Sequence, residues 1–451
     1  MALMSPNDAM FMLPESREQP MHVGSLQLFD LPEGAGSDFL QDAYRSSVEV
    51  DVAPLFRRRA YRSPLTFGQW AWRDDEEVDL EHHVRHSALP EPGRVRELLA
   101  LTSRLHGSLL DRKRPLWEAH LIEGLEGNRF AVYSKLHHAL MDGVSATRLT
   151  QLSLSTDPAS TGGSMPWGAD VPLPEPPIPG LSDLPRLALH SVRDTAGLIP
   201  RVVKMASDGL RTQATALPMQ APRTILNVSI TGSRRIAAES WPISRIRAVG
   251  KKADATINDV VLAMCSGALR EYLQELDALP DNPLIAMVPV SLRTEETAGV
   301  SNAVGTILCN LGTDIAHPGA RLIAVRSSML AGKAALKGLN QAQVSAISAA
   351  IMSPLLMNSV LGLHKISRPA YNLVISNVPG SRETLYWNGA RLSGFYPLSI
   401  PSDGQALNIT LNSYDGQLHF GLVGCRRSVP HLQRLLAHLE ESLQGLEQAV
   451  S

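Results

Sequence analysis

The feature that most restricts the fold of this 451-residue chain is a proline- and glycine-rich segment before its middle. Residues 156–180 read TDPASTGGSMPWGADVPLPEPPIPG, with seven prolines and four glycines. Proline disrupts helices and central strands, so the segment predicts a surface connection and not a core element. We therefore predict an N-terminal lobe of residues 1–155, a linker and crossover helix of residues 156–220, and a C-terminal lobe of residues 221–451.

Strand and helix signals alternate in both lobes. β-type residues at 130–136 precede a helix-like stretch at 144–154, and apolar residues recur at helical spacing over 256–276. Thr256 and Asp259 form a capping-box pattern at the start of this second helix. An apolar run at 284–290 predicts a buried strand, and alternation on both sides of Asp415-Gly416 predicts a hairpin. The pattern favours an α/β or α+β fold and cannot choose between them.

Composition excludes several classes of function. The chain has 42 Lys and Arg against 44 Asp and Glu, a net charge of -2, so nucleic acid is not an expected partner. Cys265, Cys309 and Cys425 form no CxxC pair, which disfavours a disulfide framework or zinc ribbon and fits a reducing compartment. No apolar run reaches the ~18 residues of a membrane span, and no signal peptide is recognisable. We therefore expect a cytoplasmic protein.

The most informative string is LHHALMDG at residues 136–143, between the first predicted strand and its helix. His137 and His138 lie on the turn, and histidine has a pKa suited to proton transfer near neutral pH. Asp142 can accept a hydrogen bond within the loop or pair with a distant arginine. Gly143 permits a positive φ or a close neighbour. The arrangement predicts a proton acceptor facing a cleft.

Other interpretations of the histidines carry less weight. Two adjacent histidines alone are often structural, and HHxxxD could supply three metal ligands, but no nearby His or Cys completes a metal site, so none is predicted. The second cluster, EHHVRH at residues 81–86, lies in a charged stretch and predicts a solvated face. GxSxG, GxGxxG and GxxxxGK[ST] are all missing from the sequence, so hydrolase-elbow, dinucleotide and P-loop chemistry have no support.

The HHxxxDG string resembles the active-site motif of the CoA-dependent acyltransferase superfamily, which includes chloramphenicol acetyltransferase and the condensation domains of peptide synthetases. The chain more closely resembles the bacterial wax ester synthase/acyl-CoA:diacylglycerol acyltransferase family. The matching strings run in the family order nearly from end to end. They are SPNDAMF at 5–11, PMHVG at 20–24, PLWE at 115–118, ND at 258–259, VPVSLR at 288–293, SNVPG at 376–380 and DGQALN at 403–408.

This resemblance implies two chloramphenicol-acetyltransferase-like lobes, with mixed sheets flanked by helices and a substrate tunnel between the lobes. It implies transfer of a long-chain fatty acyl group from acyl-CoA to a long-chain fatty alcohol, giving a wax ester, or to diacylglycerol, giving triacylglycerol. His138 would be the general base, without a covalent acyl-enzyme, and no cofactor is implied. His137 would support the loop.

The resemblance also implies roles for residues around the motif. Asp142 would be structural and would pair with Arg293 from the other lobe. Val144 and Ser145 would lie near the catalytic turn.

Four further residues come from matched strings in the C-terminal half. Asn258 would either meet developing negative charge or belong to a plain helix cap, and Asp259 would be structural. Ser376 and Asn377 would line the substrate channel or form only a turn. The PLWE string at 115–118 is more typical of packing.

Two segments concern lipid contact, and each has two interpretations. Residues 184–205 mix basic and apolar side chains, which is typical of an interfacial helix or of packing between the lobes. Residues 352–363 would wall the alcohol side of the channel or form a core helix. An interfacial helix at 184–205 would imply peripheral contact with the inner membrane or lipid inclusions.

Two alternative functions remain at this stage. One is a carrier-protein-dependent condensation enzyme, and the other is a catalytically silent lipid-binding relative. The lack of an adjoining carrier domain weighs against the first, and the intact His138 and Asp142 weigh against the second.

Overall fold

A computed structural model describes residues 2–62, 66, 68–161, 163, 165–168, 220–291, 304–340, 343–344, 346–352 and 368–451. Several predictions lie outside these described residues. They are the interfacial or packing helix at 184–205, the partner Arg293 and nearly all of the segment at 352–363.

The strands are β1 (Ala2–Leu3), β2 (His22–Asp30), β3 (Arg58–Arg62), β4 (Trp70–Asp74), β5 (Val84–Ala88), β6 (Trp117–Leu125), β7 (Arg129–His137), β8 (Arg234–Pro242), β9 (Ile285–Ser291), β10 (Val304–Asn310), β11 (Leu373–Pro379), β12 (Tyr386–Trp387), β13 (Ala390–Leu398), β14 (Leu407–Tyr414) and β15 (Gln417–Cys425). The helices are α1 (Pro6–Met12), α2 (Phe39–Val48), α3 (Leu80–His83), α4 (Val95–His106), α5 (Gly143–Leu152), α6 (Ile243–Lys252), α7 (Ile257–Glu275), α8 (Pro318–Leu336) and α9 (Arg434–Ala449).

Two six-stranded sheets organise the described residues, with a small sheet of order β1-β4-β3 beside them. The first large sheet has the order β12-β13-β2-β7-β6-β5, and the second has the order β10-β9-β11-β14-β15-β8. Both are mixed, because β5 is parallel to β6 and β11 is parallel to β9 and β14. Helices flank the sheets, and the predicted mixed α/β fold is confirmed.

The core of the first sheet takes chain from three separate parts of the sequence. Strands β12 and β13 come from the C-terminal half and complete this sheet, since β13 pairs with β2 and β12 pairs with β13. Their Trp387 and Phe395 are buried in its core. Trp167, from the proline-rich segment, stacks there on Trp117 with ring centroids 5.2 Å apart. Strands from the C-terminal half are therefore part of the first sheet. Residues after 155 also contribute to the hydrophobic core of that sheet.

Local predictions agree closely with the observed elements. Helix α7 begins directly after Thr256, whose side chain accepts a hydrogen bond from the Asp259 N–H, while Asp259 accepts one from the Thr256 N–H at 2.9 Å. The capping box is confirmed. The hairpin of β14 and β15 is also confirmed, with Asp415 at φ 44° and Gly416 at φ 74°, the positive values that a two-residue hairpin turn requires. Strand β7 covers its predicted segment, and β9 begins and ends one residue later than predicted.

The prediction of a solvated face at residues 81–86 is wrong for His83. This residue is 1% exposed, its Nδ1 lies 2.8 Å from the Trp117 carbonyl oxygen, and its ring stacks on Trp117 with centroids 4.5 Å apart. Burial lowers the pKa of His83. The short helix α3 explains the difference, because it turns His83 inwards while Glu81 stays in solvent.

Two further observations bear on the sequence predictions. Leu116 and Trp117 are 0% and 2% exposed, so the packing role of the PLWE string is confirmed. Within the described ranges, no helix combines the length and apolar character needed to cross a bilayer.

Candidate active site

The two histidines of the motif are held at the turn between β7 and α5. The His138 N–H donates to the Met21 carbonyl oxygen at 2.8 Å, and the His137 N–H donates to the Leu116 carbonyl oxygen at 3.0 Å. Asp142 is the N-cap of α5, where its Oδ1 accepts from the Ser145 N–H at 2.7 Å. The backbone on both sides of His138 is thus fixed by hydrogen bonds.

The His138 ring is covered on one face by an aromatic side chain. Phe11, on α1, stacks on it with ring centroids 3.9 Å apart and an interplanar angle of 17°. Removal of the ring from water lowers the pKa of His138 to about 4, although the charge of Asp142 and a hydrogen bond to the residue's own carbonyl oxygen oppose the shift. The ring is therefore neutral at pH 7 and has a free lone pair.

A neutral imidazole has one N–H and one ring nitrogen with a free lone pair. This lone pair is the group through which His138 can accept a proton from a substrate.

His137 is supported by a buried carboxylate. Its Nδ1 accepts a hydrogen bond from the Ala139 N–H at 3.0 Å, so the proton of the neutral ring is on Nε2. That Nε2 lies 3.2 Å from Oε1 of Glu15, whose side chain is 2% exposed. His137 is itself 0% exposed. It contacts the interior of the protein and not a substrate space, which agrees with a supporting role.

Glu15 connects the N-terminal segment to the catalytic turn. Its Oε2 accepts from Nε of Arg112 at 2.7 Å, and its Oε1 accepts from the Met21 N–H at 3.3 Å. Burial raises the pKa of Glu15, but His137 and Arg112 together outweigh this effect and the pKa is lowered. Glu15 is therefore ionised at neutral pH and ties His137 to the segment that also anchors the His138 backbone.

Gly143 is the first residue of α5 and uses neither property that a glycine permits there. Its φ is not positive, and a Cβ placed on it would meet no described atom within 4 Å. The space beside the HHxxxDG turn is open at this point among the described residues. Val144 and Ser145 follow in the first turn of α5 and are half-buried.

The predicted residues of the C-terminal half lie on two elements, β11 and α7. Ser376 and Asn377 are half-buried on β11, and α5 packs against this strand, so they come close to the catalytic helix. Asp259 is 3% exposed and serves the helix cap. Asn258 is half-buried in the first turn of α7, and in the described part of the chain no hydrogen bond joins it to the motif.

Sequence reasoning missed the contributions of Phe11 and Glu15. Phe11 belongs to the matched string at 5–11, and Glu15 lies between that string and the one at 20–24. The clustering of two matched strings within 20 residues of each other was the available signal. It did not indicate that this segment covers the histidines, because that contact joins residues more than a hundred positions apart.

The comparisons with known proteins identify the family of this chain. The model of the wax ester synthase/diacylglycerol acyltransferase catalytic domain matches residues 4–261, and the model of the WS/DGAT C-terminal domain matches residues 300–447. The chain belongs to the WS/DGAT family. A putative diacylglycerol O-acyltransferase of Mycobacterium tuberculosis is 51% identical over 99% of this chain and 100% of its own length. A probable diacylglycerol O-acyltransferase, tgs2, of the same organism is 52% identical over the full length of both chains.

Solved structures show the same relationship. The wax ester synthase/diacylglycerol acyltransferase of Marinobacter aquaeolei VT8 is 41% identical, covers 99% of both chains and has a TM-score of 0.78. The first condensation domain of the calcium-dependent antibiotic synthetase is 17% identical, with a TM-score of 0.60 over 100% of this chain and 96% of its own. This second likeness concerns the fold alone.

Proposed function

We propose that this WS/DGAT family protein transfers a long-chain fatty acyl group from acyl-CoA to the hydroxyl of diacylglycerol or of a long-chain fatty alcohol. The observation that carries the proposal is the state of His138. Its ring is neutral at pH 7, stacked on Phe11 and held on a turn that backbone hydrogen bonds fix. These are the properties that a general base requires.

The reaction needs one base and two substrates. The unprotonated ring nitrogen of His138 accepts the hydroxyl proton while the hydroxyl oxygen attacks the thioester carbonyl carbon. The tetrahedral oxyanion then collapses, the C–S bond breaks, and the proton on His138 passes to the departing CoA thiolate. Proton transfer by a positioned side chain contributes roughly 10²–10⁴-fold. All atoms and charges balance without a further group, so we propose no cofactor and no metal.

Support for the acceptor class comes from the relatives. The two M. tuberculosis relatives are named diacylglycerol O-acyltransferases, and the Marinobacter relative has both wax ester synthase and diacylglycerol acyltransferase in its name. We therefore propose diacylglycerol as the main acceptor and a fatty alcohol as the second. Both acceptors and both products are insoluble in water, so we also propose peripheral contact with a membrane or lipid-inclusion surface. The pairing of Asp142 with Arg293 stays a prediction.

The test is CoA release from palmitoyl-CoA, with dipalmitoylglycerol or hexadecanol as acceptor. The wild type should release CoA only with an acceptor, and faster with dipalmitoylglycerol. His138→Ala should lose at least a hundredfold in kcat. His431→Asn is a suitable control, because His431 is exposed and has a positive φ that asparagine tolerates.

Two outcomes would overturn the proposal. If the wild type shows no acceptor-dependent release with CoA thioesters but turns over an acyl carrier-protein thioester, the protein is a carrier-dependent enzyme. If it binds both substrates and turns over neither thioester, it is a lipid-binding relative.

A further inference from the structure

A cleft rich in arginine lies where the two lobes meet beyond the end of α4. Its volume is about 750 Å³, within the usual range for a small-molecule site. Four arginines and a single glutamate contribute to its walls. They are Arg17, Arg104, Arg234, Arg426 and Glu18. The chain as a whole has a net charge of -2, so this positive charge is a local concentration and not a property of the whole surface.

The three exposed arginines of this cleft have no ion-pair partner within the ranges that the structure describes. They are Arg17, Arg104 and Arg426. Arg234 is only 4% exposed, and its guanidinium donates to the carbonyl oxygens of Thr231 and Glu18. Burial of a cation is costly unless an anion compensates it, and the charge of Asp403 supplies part of that compensation.

Arg234 nevertheless keeps its charge. Burial lowers the pKa of its guanidinium to about 10, while Cys425 and Asp403 act in the opposite direction. This pKa is still well above neutral pH, so the side chain is a cation under ordinary conditions. The cleft therefore combines one fixed, buried guanidinium with three exposed ones.

The cleft is connected to the catalytic turn through two separate pieces of chain. Arg17 is two residues after Glu15, so their Cα atoms are at most about 7 Å apart, and Glu15 contacts His137. On the opposite wall, the Ser108 carbonyl oxygen accepts from Nζ of Lys135 at 2.9 Å, and Lys135 is on β7, two residues before His137. Both walls of the cleft are thus connected, through a few residues each, to the strand end that carries His137.

Two glycines at the floor of the cleft have no room for a side chain. A Cβ on Gly107 would lie 2.8 Å from the Gly232 carbonyl oxygen, and a Cβ on Gly232 would lie 2.7 Å from the Arg17 carbonyl oxygen. Three backbone segments, from both lobes, therefore meet in direct contact. This contact holds Arg104, Arg234 and Arg17 around one space.

We propose that this arginine cleft binds the phosphates of the CoA nucleotide, and that it marks the side from which acyl-CoA reaches His138. The inference rests on the proposed function. CoA carries a diphosphate and a 3′-phosphate, and the planar fork of arginine suits phosphate oxygens. A concave site with a buried arginine fits such a compact polyanion. The flexible pantetheine arm then places the thioester at the catalytic turn.

The test compares binding of CoA and of 3′-dephospho-CoA by titration calorimetry. The test variant is Arg104→Gln with Arg426→Gln, which leaves the buried Arg234 in place. The matched control is Arg427→Gln, because Arg427 is also exposed and adjacent in sequence but lines a different cleft. We expect the Kd of CoA to rise about tenfold or more in the double variant, with a weaker salt dependence, and to stay within twofold in the control.

Kinetics provide a second readout. The KM for palmitoyl-CoA should rise in the double variant while kcat changes little, because the removed contacts are remote from the reacting atoms. With palmitoyl-N-acetylcysteamine, which has no phosphates, the variant and the wild type should behave alike. This donor separates loss of phosphate binding from damage to the fold.

Three outcomes would overturn the inference. The first is a CoA Kd in the double variant equal to that of Arg427→Gln. The second is an equal loss of activity with palmitoyl-N-acetylcysteamine. The third is an unchanged CoA Kd together with weaker flotation on phosphatidylglycerol vesicles, which would make the cleft a membrane contact. A wild type that binds no CoA at all would instead contradict the proposed function.

Discussion

Replacement of Glu15 by glutamine tests whether a carboxylate beneath the catalytic turn positions the histidines. Glu15→Gln keeps the shape of the side chain but removes the charge that contacts His137 at 3.2 Å and Arg112 at 2.7 Å. A hydrogen bond to a charged group contributes about 1.5–3 kcal/mol, against about 1 kcal/mol for a neutral pair. The support of His137 should therefore weaken by about 1–2 kcal/mol. We expect a fall in kcat of about 5–30-fold if the turn transmits this loss to His138.

The assay is acceptor-dependent CoA release, with folding checked by circular dichroism and the thermal midpoint. KM values should change less than kcat, because Glu15 is buried and contacts neither substrate. Arg112→Gln should cost less than Glu15→Gln, since the Arg112 side chain is 38% exposed and its ion pair is partly screened. Glu33→Gln, at an exposed glutamate, is the control. A folded Glu15→Gln variant with kcat within twofold of wild type would refute the positioning role.

Three further perturbations have defined outcomes. Because the proposed mechanism uses neutral His138 and the pKa of this residue is lowered to about 4, kcat/KM should stay constant down to about pH 5; an acid limb near pH 6.5 would contradict this. Phe11→Leu removes the ring stacked on His138 and should lower kcat about 2–10-fold, and an unchanged kcat would argue against the stack. Thr256→Val removes the cap of α7 and should destabilise the protein by about 1 kcal/mol with normal kcat; an unchanged denaturation midpoint in guanidinium would count against the cap.

The sequence predicted the local structure of the HHxxxDG turn well and the surroundings of that turn poorly. The strand, the double histidine and the helix after Asp142 occur where the string at 136–143 placed them. The cover and the support of these histidines come from Phe11 and Glu15, which no periodic pattern connects to them. His83 is a similar case, since its charged neighbours suggested solvent and only its stacking on Trp117 shows that it is buried.

The sequence alone determined the features that depend on neighbours a few residues apart. The capping box at Thr256, the Asp415-Gly416 turn and the N-cap at Asp142 each use hydrogen bonds or dihedral angles within four residues. Only the tertiary structure decided which distant segments meet. In the folded chain, β13 pairs with β2 of the first sheet, and Glu15 accepts a hydrogen bond from Arg112, which is 97 positions away. Four arginines from distant segments line one cleft. Such contacts depend on how the whole chain packs to bury its apolar surface. They therefore cannot be predicted from residues that are close in sequence.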